Sequence, residues 1–155
     1  MIFPFTISYT RRLSKKLSDN ETARALNQIK TIIEKKTAED IEIKKDSLTF
    51  KVSLFGLRWN WNVMVPIEKG QFNLVTSDNT TTLTYEFFMY RMLIITSIMS
   101  IFGGLVSGQI GVGIFFFTVL FGLNWITALI RHNGLIDDIA WEINEELKTE
   151  LVTVD

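Results

Sequence analysis

The sequence predicts an α+β protein that ends in a membrane hairpin: an antiparallel sheet with one helix, two transmembrane helices, and a C-terminal amphipathic helix. Three observations predict it. Short runs in residues 1–88 alternate apolar and polar side chains. Met92 to Ile130 is 39 consecutive residues without a charge. From Leu135 onward apolar residues return at helical spacing, with acids between them.

The elements follow in order. Phe3, Phe5, Ile7 and Tyr9 alternate as one face of a strand does. Ser18 and Glu21 have capping-box spacing and start a helix that ends near Lys36. Its stripe of Leu26, Ile29, Ile32 and Ile33 suits it to cover one sheet face. Five further strands are expected. They run through Ile41 and Ile43; Leu48, Phe50, Val52 and Leu54; Trp59, Trp61, Val63 and Val65; Phe72 and Leu74; and Leu83, Tyr85 and Phe87. Turn residues separate them, as at Lys45-Asp46, Phe55-Gly56, Glu68-Lys69-Gly70 and Ser77-Asp78-Asn79. The order is β-α-β-β-β-β-β, and the short connections favour an antiparallel meander. The second sheet face is polar: Thr49, Lys51, Asn60, Asn62, Gln71, Asn73, Thr82 and Thr84.

No linker separates the last strand from the charge-free run. One helix of that length would measure roughly 58 Å, against a hydrocarbon core of about 30 Å. Two spans fit, about 89–106 and 110–130. The reversal falls in the glycine-rich stretch Gly103-Gly-Leu-Val-Ser-Gly-Gln-Ile-Gly-Val-Gly113. That stretch is not a dinucleotide fingerprint, because its glycine spacing is reversed and no βαβ unit contains it. Small residues recur at helical spacing: Ser97, Ser100, Gly104 and Gly108 on the first span, Gly111, Thr118 and Gly122 on the second. They are assigned to helix packing within the hairpin or between copies. Tyr90, Arg91, Trp125 and Arg131 mark the membrane interface at the two inner ends.

Beyond Asn133-Gly134, Leu135, Ile136, Ile139, Ile143, Leu147 and Leu151 form the apolar face of a helix whose other face is acidic. Interfacial helices carry Lys and Arg there instead, so this helix is expected to pack on the N-terminal domain or on a neighbouring chain. The chain thus divides into a domain over 1–88, a hairpin over 89–131 and an acidic tail over 132–155.

Charge and chemistry narrow the function. Residues 1–91 carry 14 Lys/Arg and 10 Asp/Glu, and residues 131–155 carry 2 and 7. With both hairpin ends flanked by arginine and no export signal legible, the positive-inside rule places both termini in the cytoplasm of a bacterial inner membrane, multi-pass. There is no cysteine and one histidine, His132. Neither a thiolate metal site nor a His-based cluster or triad is therefore expected. No catalytic residue, metal or cofactor is assigned, and the chain is read as not an enzyme. Arg11, Arg12, Lys15 and Lys16 form the densest basic cluster. They are lipid or partner contacts in this reading, as are Arg58, Trp59 and Trp61. Nucleic acid is not expected, since neither a strong positive excess nor a recognised motif is present. The expected role is a membrane-apposed binding or assembly module, a tether or subunit, that self-associates or binds a protein partner. The alternative is a self-assembling effector that permeabilises the bilayer when its domain is triggered.

Overall fold

A computed structural model describes residues 6–36, 38–52 and 67–152, with residues 147–152 described through the backbone alone. The elements are β1 (Thr6–Arg12), α1 (Asp19–Lys35), β2 (Glu39–Ile43), β3 (Ser47–Lys51), β4 (Lys69–Thr76), β5 (Thr81–Phe88), α2 (Tyr90–Ser107) and α3 (Ile110–Val152). The strands form one antiparallel sheet in the order β1-β5-β4-β3-β2. Among the described residues it has five strands, where the sequence reading has six. The strand expected through Trp59, Trp61, Val63 and Val65 lies outside the described residues, as do Phe3, Phe5 and Leu54.

Strand alternation sorts the sheet faces. Leu48, Phe50, Phe72, Leu74, Leu83, Tyr85 and Phe87 are buried on one face. Thr49, Gln71, Asn73, Thr82 and Thr84 lie half-exposed on the other, with Lys51 exposed. Register locks this division. Phe72 pairs with Leu48 and Tyr85, and its ring stacks on that of Tyr85 with centroids 4.3 Å apart. A one-residue slip would put every one of these rings in solvent.

α1 begins as its sequence dictates. Ser18 Oγ accepts from the Glu21 backbone N–H, and Glu21 Oε2 accepts from the Ser18 N–H at 2.8 Å. Leu26, Ile29 and Ile33 are buried against β2 and β3, and Ile32 packs partly beside them. The helix closes where the Lys36 and Ala38 N–H groups both donate to Ile33 O.

Only Met89, itself 1% exposed, stands between β5 and α2. α2 and α3 are both long and apolar enough to cross a membrane. The reversal between them takes Gly108 and Gln109 alone. Gly108 adopts φ 65°, ψ 14°, the left-handed cap for which glycine is the low-cost residue. Several polar side chains in the apolar stretches of these helices bond to their own backbone. Thr96, Ser100, Thr118, Asn124 and Thr127 each donate to the carbonyl four residues back. Each of these donors is thereby satisfied within its own helix, as an apolar environment requires.

The separate C-terminal helix is a correction. α3 runs unbroken for 43 residues, through Asn133-Gly134. An internal glycine costs only about 1 kcal/mol relative to alanine. A buried stripe of Ala128, His132, Leu135, Ile136, Ile139, Ala140 and Ile143 crosses that point without changing phase. Packing along it outweighs the local penalty. The stripe lies on β1 and β5 beside α1, so two helices cover one sheet face. The Leu147 and Leu151 side chains are outside the described set.

Glu21 makes this fold sensitive to acid. The Lys15 ammonium 2.6 Å away, and then the Ser18 N–H, lower its carboxyl to about 2. A depressed folded-state value stabilises the protein above the ordinary carboxylate range, about 4.3, and the gain is lost as pH falls toward 2. Wild type is expected to exceed Glu21→Gln by up to about 1 kcal/mol at neutral pH, the worth of an exposed pair. Thermal melts should show that gap closing between pH about 4.5 and 2.

Candidate functional site

The site with the most built-in chemistry is the seam where the far half of α3 meets β1 and β5. β5 presents Tyr85 and Phe87 on one face by alternation, and α3 presents His132 one turn after Ala128. The Tyr85 hydroxyl and His132 Nδ1 share a 2.9 Å hydrogen bond, both side chains fully buried. The imidazole also packs on the Phe87 ring, with centroids 4.3 Å apart. Burial pushes the Tyr85 hydroxyl well above its usual range, so it keeps its proton.

Polar contacts continue along both elements. Tyr9 Oη donates to Leu129 O at 3.0 Å. Arg11 pairs with the Asp137 carboxylate and donates to Asn133 Oδ1 at 2.6 Å. The Ser14 N–H and Oγ both donate to Asn144 Oδ1 at 2.9 Å. The hydrogen bond to Arg11 holds the Asp137 carboxyl below its usual range. At the hairpin end, Arg91 Nη1 donates to Val52 O at 3.1 Å. These groups match a helix to a sheet. Among the described residues no cluster of three metal-ligating side chains forms.

No protein-family model, curated protein or solved structure matches this chain.

The small residues assigned to helix packing divide. Gly104 and Ser100 meet α3 at Gly113. A Cβ on Gly113 would lie 2.8 Å from Ser100 O, and one on Gly104 would lie 3.4 Å from Gly113 Cα. The crossing is thus backbone on backbone. Gly111, Thr118 and Gly122 share the opposite face of α3, and nothing lies within 4 Å of a Cβ built on either glycine. Ser97, Ser100, Gly104, Gly108 and Gly113 line an open groove of about 630 Å³ along the hairpin.

The interface residues sit where the domain meets the hairpin. Tyr90 and Arg91 open α2. Trp125 packs partly on the domain core, and Arg131 is half-buried one turn beyond Ala128. The basic cluster lies at the other end of the sheet. Thr6 pairs with Phe88, next to α2, whereas Arg12 pairs with Thr82, six residues further from it. Arg11 and Lys15 are ion-paired, and Arg12 and Lys16 are exposed. Arg58, Trp59 and Trp61 lie outside the described residues.

The sequence reading missed Tyr85, His132, Asn133, Asn144 and Gly113 as seam and crossing residues. His132 had a signal: it falls four residues after Ala128 and four before Ile136, within the apolar stripe.

The seam's stability is expected to reside in its apolar contacts. Ile139→Ala should cost about 2–5 kcal/mol, as for a fully buried isoleucine. Arg11→Gln should cost no more than about 1 kcal/mol, because that pair is partly exposed. Chemical denaturation of the two variants in detergent compares them directly.

Proposed function

We propose that this chain is a small integral protein of the bacterial inner membrane, a tether or subunit whose cytoplasmic domain is a binding and assembly module. One observation carries the reading. The domain is joined to the hairpin through Met89 on one side and through the unbroken α3 on the other. Two short, stiff connections hold a sheet in one orientation at the bilayer. A flexible tether would instead allow the domain to swing. The hairpin's internally bonded hydroxyls and amides suit it to lipid, and the arginines at both inner ends favour cytoplasmic termini. The seam residues act structurally in this reading, so no reaction is assigned to them. No nucleic acid is involved.

The second reading is a membrane effector that assembles hairpins. The outward face of Gly111, Thr118 and Gly122 and the open groove favour it, because both leave room for another helix. The lack of charge along the hairpin weighs against a conducting pore built from one copy.

Ser107→Cys tests the topology, since the chain has no other cysteine. An impermeant maleimide is expected to label it from the periplasmic side; labelling only from the cytoplasmic side overturns the orientation. Release of dye from liposomes carrying the protein would favour the effector reading over the tether.

A further inference from the structure

Beyond the hairpin, α3 leaves one side uncovered. Opposite the buried stripe, the Trp141 indole is 65% exposed. Asp138 and Glu142 beside it are exposed as well, and among the described residues neither forms an ion pair. A lone exposed apolar side chain is ordinary. Trp141 is distinguished by its acidic setting and by a matching basic surface on the same molecule.

That surface is the corner between β1 and α1. Arg12 and Lys16 are exposed there and form no ion pair among the described residues. They cannot drift along α3, because their neighbours are held to it: Arg11 to Asn133 and Asp137, and Ser14 to Asn144. The basic corner therefore stands level with residues 133–144 of α3, the stretch that contains Trp141. Arg12 pairs across the sheet with Thr82, which places it on the sheet's open face, away from its own α3.

We infer that the acidic face around Trp141 receives the Arg12–Lys16 corner of a second copy of this chain. The inference rests on the membrane-spanning reading above, which supplies its geometry. Copies in one bilayer share one orientation and one height. Two patches at equal height on different sides of the domain then meet by lateral diffusion alone. The cations face Asp138 and Glu142, and one of them lies over the indole, where a cation is attracted to the ring face. Tryptophan and arginine are the residue types that dominate binding at interface centres. The contact is heterologous, one face of a copy against a different face of the next, so it propagates into a ring or a chain.

The test uses the full-length protein in liposomes, labelled through Ser77→Cys with donor or acceptor dyes and read as energy transfer between copies. Wild type is expected to associate. Asp138→Lys/Glu142→Lys and Arg12→Glu/Lys16→Glu should each weaken self-association about tenfold or more, since like charges are then juxtaposed. An equal mixture of these two variants should recover transfer, because each supplies the face complementary to the other. Trp141→Ala should weaken association without changing insertion. The inference is overturned if wild type inserts but stays monomeric, if either reversal associates like wild type, or if the mixture does not recover. Failure of wild type to insert overturns the membrane reading itself, and this inference with it. Insertion without association overturns this inference alone.

Discussion

The structure depends on the packing of α3 against β5, centred where His132 meets Tyr85 and Phe87. A helix long enough for a membrane would ordinarily end at the bilayer surface. Here its apolar stripe continues past the end of the charge-free run at Ile130 and finds a second apolar partner, the sheet. One continuous helix thus packs on two different partners. Its first half is met by α2, whose Ser100 and Gly104 allow close approach at the crossing, and its second half by an aromatic sheet face. The buried hydrogen bond between Tyr85 and His132 adds direction to this packing, since an imidazole placed one residue off would lose its partner inside the core.

This arrangement accounts for the division of labour among the polar groups. Within the hairpin, hydroxyls and amides bond to their own helix. Along the seam they bond across to β1 and the residues after it. The difference follows from geometry. α2 approaches α3 so closely at Gly104 and Gly113 that no side chain fits between them. The sheet stands one side-chain layer away, leaving room for Tyr9, Arg11 and Asn144 to reach over. The buried apolar residues hold the seam together, and the polar groups at its rim set its register.

Much of the fold was legible because it is written in local periodicity. Leu48, Phe50, Phe72, Leu83, Tyr85 and Phe87 alternate, and all are buried on one sheet face. Ser18 and Glu21 form the capping box their spacing indicates. The glycine-rich reversal occurs at Gly108, where a left-handed residue was needed. The candidate site was less legible. Arg11 and Arg12 read alike as neighbours in a basic cluster, yet alternation along β1 sends the first to Asp137 and the second to the open face. Small residues on α3 also read alike, yet Gly113 meets α2 while Gly111, Thr118 and Gly122 turn away. Which member of such a set touches a partner depends on the rotation of one element against another, and periodicity alone does not specify that angle.

By itself, the sequence determined the alternating sheet, the capped helix, the charge-free hairpin and the amphipathic character of the last segment. Each is a property of residues close in the chain, set by strand and helix repeats and by the φ preferences of glycine. Only the tertiary structure decided that the hairpin's second helix and the acidic segment are one helix, and that His132 belongs to the core rather than to solvent. Asn133-Gly134 locally favours a break. The sheet face waiting for Leu135, Ile136, Ile139 and Ile143 makes the unbroken helix lower in free energy, and that face exists only once strands distant in sequence have paired.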